Sequence, residues 1–216
     1  MTTTVPSPLS GRRAQAARND EAILAAARAV YLDNPDAPIS AVAERAGVGI
    51  SALYRRFPSK EELLRKLCGD GLAAYIDAAQ AALASLDQGG DAFAAFATFM
   101  RRVVDAGSTS LTTRLAGTFT PSEELFRDAI QADELNHRLI ELVRAAGVVR
   151  PDIEVADLGL LLEQIAAVRI GDDERTSELR HRYLALMLDA LRPPGATDLP
   201  GPPPTTAELA ARWRVS

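Results

Sequence analysis

The side chains best placed for chemistry lie in residues 43–64, AERAGVGISALYRRFPSKEELL. Gly49, Ser51 and Ala52 are small and stand at the start of a short segment running from Ile50 to Phe57. Tyr54, Arg55, Arg56 and Lys60 follow as a cluster of polar and cationic groups. The chemistry they suit is recognition of a polyanion. Small residues let a backbone approach base edges where bulk would block docking. The amide end of a helix favours phosphate, and Tyr, Arg and Lys suit flanking phosphates. Arg12 and Arg13, adjacent near the N-terminus, are a further candidate pair for the same contact.

Catalytic constellations are poorly supplied. His137 and His181 fall on different predicted helices, without the HExxH spacing of a metalloenzyme. Gly47-x-Gly49 is too short for a phosphate or dinucleotide loop and follows a helix instead of a strand. Cys68 sits in an apolar helical pattern and reads as an inert buried thiol; as the only cysteine it excludes an internal disulfide and a multi-Cys zinc site. Asp172-Asp173-Glu174 reads as the start of a helix. The expectation is a non-enzyme with no metal and no cofactor.

The elements that must position the cluster are short. After Pro38, Val42, Ala43 and Ala46 form the inner face of one helix, and Gly47-Val48-Gly49 breaks it. Leu53 and Phe57, four apart on the next, point to one core. A preceding helix starts near Asn19, a good cap, puts Ile23, Ala26, Ala27 and Val30 on one face, and stops at Asp33-Asn34-Pro35. Ser59 and Glu62 form a capping box that opens a long helix carrying Leu63, Leu64, Leu67, Leu72 and Ile76. This is a helix-turn-helix pattern. Spacing alone leaves two readings open, a DNA reader and a plain structural corner.

The residue string favours the first. Residues 43–64 resemble the N-terminal domain of the TetR family of bacterial transcriptional regulators, whose hallmark reads Ala-Gly-Val-Ser-x-Gly-Thr-Leu-Tyr-x-His-Phe-x-x-Lys-Glu-x-Leu. Ala46, Gly47, Val48, Leu53, Tyr54, Phe57, Lys60, Glu61 and Leu63 or Leu64 match it without a gap. The resemblance covers about residues 19–67. It implies a homodimer that binds a roughly palindromic double-stranded DNA operator and releases it on binding a small molecule. By position it implies phosphate contacts from Tyr54 and Lys60, and groove contacts from Gly49, Ile50, Ser51 and Ala52. Three departures bear on base reading: Gly49 replaces the family Ser, Ser51 the Gly and Ala52 the Thr. Arg56 replaces the His, adding a permanent charge. Pro38 stands where a Thr opens the first short helix, so Ser40 is the candidate replacement for that hydroxyl. Specificity is then expected from Ser51, Arg55, apolar contact of Ile50 or Ala52 with thymine methyls, and DNA shape.

Length and composition agree with an all-α chain. Of 216 residues, 39 are Ala and 27 Leu, while aromatics make up 5%. That argues against sandwiches and barrels, which use β-branched and aromatic residues. There is no apolar run of about 18 residues, so no membrane span, and placement in the bacterial cytoplasm on the nucleoid is expected. The net charge of −5 is divided: residues 1–60 carry 8 basic and 5 acidic side chains, residues 61–216 carry 16 and 24. Only the docking face needs to be positive.

The expected organisation is a flexible arm (1–18), a helix-turn-helix domain (19–68), a helical ligand-binding and dimerisation domain (69–192) and a Pro-rich tail with a short terminal helix (193–216). Gly69 and Gly71 lie inside the long helix, read either as close packing or as a soft point. The 154–170 helix is apolar nearly all round. The 173–192 helix has a broad apolar arc that includes Leu179, Tyr183, Leu184, Leu186 and Leu188. Two such helices per subunit suit a four-helix dimer interface, or two central helices of a monomer. Phe96, Phe99, Met100, Phe119, His137, Gln164 and Arg169 are the candidate ligand-lining residues, although Gln164 and Arg169 equally suit contacts across a dimer. The alternative to a DNA-binding regulator is a helical homodimeric interaction or small-molecule-binding protein.

Overall fold

A computed structural model of the chain describes residues 8–107, 115, 117–193 and 198–211, and the regular elements among them are all α-helices. They are α1 (Pro8–Asp33), α2 (Ile39–Ala46), α3 (Ile50–Arg56), α4 (Lys60–Asp87), α5 (Ala92–Ala106), α6 (Glu123–Ala145), α7 (Val155–Ala166), α8 (Asp173–Ala190) and α9 (Thr206–Ala211). The chain divides into two compact units, Met1–Leu67 and Cys68–Ser216.

In the first unit α1 packs on α2. Ile23, Ala26, Ala27 and Tyr31 of α1 are buried with Val42 and Ala43 of α2, Leu53 of α3, and Leu63, Leu64 and Leu67 of α4. Val30, expected on the inner face of α1, is only half-buried, and Tyr31 takes the inner place. α1 begins at Pro8, eleven residues ahead of the expected Asn19, so residues 8–18 are helical and not a flexible arm. Proline suits a first helical position, where its missing N–H is no loss. The Ala, Arg and Gln residues that follow favour helix. Asn19 accepts a hydrogen bond from Gln15 Nε2 at 2.9 Å, and so acts as a partner within the helix instead of capping its start.

In the second unit the core joins α4, α5, α6, α7 and α8 through Ala79, Leu83, Phe96, Phe99, Met100, Leu139, Val143, Leu158, Leu162, Leu184 and Leu188. Helix starts are capped as their sequences require: Asp91 accepts from Ala94 N at 2.6 Å, Ser122 from Leu125 N at 3.2 Å and Asp172 from Arg175 N at 2.8 Å. α7 ends at Ala166, four residues short of the expected 170. Two side chains of α8 explain the early stop. Arg180 donates to the Ala166 and Val168 carbonyls at 2.8 and 3.2 Å, and Thr176 Oγ1 bonds both the N–H and the carbonyl of Ile170. These bonds replace those a longer helix would have made. In the tail, Thr205 and Glu208 bond reciprocally across the start of α9. Trp213 and the Ser/Thr-rich stretch Ser108–Thr113 lie outside the described residues.

Candidate nucleic-acid interface

The α2–α3 turn is closed by backbone geometry. Gly47 adopts φ +65°, Gly47 N–H donates to Glu44 O at 3.1 Å, and Val48 N–H donates to Ala43 O at 3.0 Å. This pattern ends α2 by satisfying its last carbonyls, and the left-handed residue inside it favours glycine. Gly49 then takes an extended conformation at the N-cap of α3, without a side chain to cap it. A Cβ built on Gly49 meets nothing within 4 Å, so no crowding demands the glycine there.

α3 is fixed from below and open above. Leu53 is fully buried and Phe57 nearly so; the Phe57 N–H donates to Leu53 O at 2.8 Å. On the outer side Ile50 is 40% exposed and Tyr54 45% exposed, with Ser51 and Arg55 also exposed and Ala52 half-buried. Ser40, at the second position of α2, is exposed, as is Arg45 near its end. Arg45 belongs among the candidate cations of this surface, and its place in the last turn of α2 was the available signal. Arg12 and Arg13 lie in the first turns of α1.

Two cations expected to face DNA have partners within the chain, Arg56 while remaining exposed. Arg56 Nε pairs with Asp20 Oδ2 of α1 at 2.8 Å. Lys60 Nζ donates to the carbonyls of Pro35 at 2.8 Å and Ala37 at 3.0 Å, and lies 5.0 Å from the centre of the Tyr31 ring. Burial holds the Lys60 pKa below the usual lysine value, against the opposing pull of Asp36. Beneath it the Tyr31 hydroxyl is buried without a hydrogen-bond partner, and burial, reinforced by Tyr54, raises its pKa to about 12. Spacing gives no hint of these contacts, because Lys60 reaches back 23 and 25 residues along the chain.

The seven candidate ligand-lining residues separate into two groups. Phe96, Phe99, Met100 and Phe119 are buried. His137, Gln164 and Arg169 are exposed. The His137 ring bonds Asp133 O at 2.9 Å on its own helix, and Arg169 lies beyond the end of α7. Among the described residues the seven thus do not share one environment, four lying in the core and three at the surface. A small recess in the second unit, with about 10 Å³ of free space, is lined by Val103, Val104, Gly107, Leu162, Ile165, Ala166 and Arg180. None of the seven borders it, and its volume is about that of one water site. The helix pair expected to dimerise has an apolar outer side: Tyr183 is 45% and Leu186 57% exposed on α8, while Leu160 and Leu161 of α7 are half-buried.

Comparison with known proteins agrees with this architecture. The family model described as bacterial regulatory proteins, tetR family, matches residues 23–67. A model for the C-terminal domain of SbtR-like transcriptional regulators matches residues 91–193. The HTH-type transcriptional repressor LfrR of Mycolicibacterium smegmatis is 31% identical over 151 residues, covering 69% of this chain and 74% of that protein. A solved TetR transcription regulatory protein from Mycobacterium vanbaalenii shares 28% identity at a TM-score of 0.50, covering 83% of this chain and 98% of its own. The crystal structure of LfrR from Mycobacterium smegmatis in complex with proflavine has the same fold, with a TM-score of 0.60 at 24% identity over 84% of this chain and 98% of that one. The buried pattern of the helix-turn-helix, the regulator-type domain that follows it and the extent of the match to a repressor together show that the chain belongs to the TetR family of bacterial transcriptional regulators.

Proposed function

We propose that the chain is a ligand-responsive repressor that binds a roughly palindromic operator as a homodimer through α3 and leaves it when a small molecule binds. The observation that carries this reading is the division of α3: Leu53 fixes it to the core while Ile50, Ser51, Tyr54 and Arg55 stand exposed on a two-turn helix. A rigid short helix with a small, partly apolar, cationic outer side fits a major groove. Ser51 and Arg55 are the polar readers, Ile50 and Ala52 meet thymine methyls, and Tyr54, Ser40 and Arg45 contact phosphates. Arg12 and Arg13 add backbone contacts from the start of α1.

Dimerisation is supported by the exposed Tyr183 and Leu186 beside the half-buried Met187, an apolar arc on α8 that a second copy would cover. The effector would enter the second unit, where Phe96, Phe99, Met100 and Phe119 supply an apolar wall. These four side chains are packed in the core, so an effector that reached them would have to part them. That repacking is what would couple effector to operator.

The test is a binding titration with duplex DNA from upstream of the chain's own gene, with Tyr54→Ala and Arg55→Ala as weakened variants. Retained affinity in both variants, or none in the unaltered chain, rejects the DNA reading and leaves a dimeric ligand-binding protein. Release is tested on the same complex, with proflavine, the compound in the solved LfrR complex, as the first probe.

A further inference from the structure

Arg56 closes α3, and a carboxylate from another helix holds it: its Nε lies 2.8 Å from Asp20 Oδ2 of α1. The two members of this pair differ in exposure, 58% for the Arg56 side chain and 27% for that of Asp20. The carboxylate is thus the inner partner and the guanidinium the outer one. The guanidinium carbon also stands 6.0 Å from the centre of the Phe57 ring, which belongs to the core. That distance is at the outer limit of attraction between a cation and a ring face. A guanidinium carries five N–H donors in a rigid fork. Engaging Nε with Asp20 leaves the four N–H bonds of the terminal nitrogens, on a side chain more than half exposed. Tyr54 and Arg55, immediately before it in α3, are exposed as well.

We infer that Asp20 is a positioning residue for operator binding: it holds the Arg56 guanidinium by its Nε edge, so that the terminal nitrogens meet a DNA backbone phosphate at the end of α3. The inference rests on the DNA reading above and gives Asp20 itself no contact with DNA. A carboxylate so close to a docking surface has two opposed effects. It repels phosphate, but from behind the guanidinium, through water and within reach of salt screening. It also orders the arginine before DNA arrives, and arginine has among the largest rotamer freedom of any side chain. The second effect is the larger, because part of the ordering that the contact requires is already complete in the free chain. The same pair joins α1 to the end of α3, which Leu53 and Phe57 fix from the core side.

A double-mutant cycle followed against salt tests it. Operator affinity of Asp20→Ala, Arg56→Ala and the double variant is measured well below each variant's unfolding temperature. An exposed ion pair couples by up to about 5-fold in an equilibrium constant. Asp20→Ala is therefore expected to bind about 3- to 5-fold more weakly, with the slope of log K against log salt unchanged because Arg56 keeps its charge. Arg56→Ala is expected to bind more weakly still and to lower the slope by about 0.9, the loss of one phosphate contact. Adding Asp20→Ala to Arg56→Ala should then change nothing more. Binding by Asp20→Ala as tight as that of the unaltered chain, or tighter, overturns the inference and makes the carboxylate neutral or a brake. An unchanged slope in Arg56→Ala overturns it too, because the pair would then only join two helices. So does a double variant weaker than Arg56→Ala by the full cost of Asp20→Ala, since Asp20 would then act without Arg56. Should an alanine variant fail to fold, Asp20→Asn and Arg56→Gln, which keep the side-chain lengths closer, complete the same cycle. Failure of the unaltered chain to bind DNA rejects the DNA reading and the inference with it, whereas binding that ignores Asp20 overturns the inference alone.

Discussion

Single residues in the first unit make opposite demands on the same fold. Gly47 is held at φ +65° with open space around it, so a side chain there pays only the backbone penalty. Gly47→Ala should cost about 1–2 kcal/mol, whereas Gly49→Ala, in an extended conformation with equal space, should cost far less. Urea unfolding of both variants checks this, and equal losses would show that the turn is not set by its left-handed residue. Tyr31 presents the reverse case, a buried hydroxyl without a partner. Tyr31→Phe keeps the ring beneath Lys60, removes the stranded oxygen, and should leave stability unchanged or raise it by about 1 kcal/mol. The raised Tyr31 pKa also fixes a sign. The phenol is neutral in both states below its ordinary value of 10.0, so its contribution is complete there. It is lost as pH climbs from 10 towards about 12, where the unfolded chain ionises first. Melting of the unaltered chain and of Tyr31→Phe from pH 9 to 12 should show the larger decline in the unaltered chain.

Helix starts follow signals near them in sequence, while the end of α7 answers to side chains of another helix. Asp91, Ser122 and Asp172 each accept a bond from the N–H three residues on, and each is readable as a cap because the partners are near in sequence. Replacing any of the three by Ala should cost about 1 kcal/mol, measured by thermal unfolding of the second unit. Gly69→Ala, with nothing within 4 Å of the new methyl, should stabilise α4 by up to about 1 kcal/mol. Unchanged induction in that variant would also dismiss a soft point there. The core faces of α2 and α3 were equally legible, since Val42, Ala43, Leu53 and Phe57 repeat at helical spacing. The ends of α1 and α7 were not. Asn19 resembles a cap until Gln15 is seen bonding to it, and α7 is stopped by Arg180 and Thr176 from another helix. The same holds around α3: period puts Arg55 off the core face, while the pairing of Arg56 with Asp20 and the bonds of Lys60 to Pro35 and Ala37 join residues far apart in sequence, which period cannot reveal.

At the scale of the whole molecule, assembly and charge are the open quantities. Tyr183→Glu combined with Leu186→Glu places two carboxylates on the exposed apolar arc of α8. Sedimentation should then report a monomer, and operator affinity should fall with it; a dimer of unchanged strength would move the interface elsewhere. The charge has a consequence of another kind. Of the 24 basic side chains, 22 are arginines, and one of the two lysines is fastened to carbonyls. Guanidinium stays protonated across the biological range and lacks the amine that acetylation neutralises. The arginines proposed to face DNA are therefore beyond the reach of acetyl transfer, a common way to silence a cationic surface. An acetylating reagent should modify the exposed Lys66, spare Lys60, and leave operator binding intact.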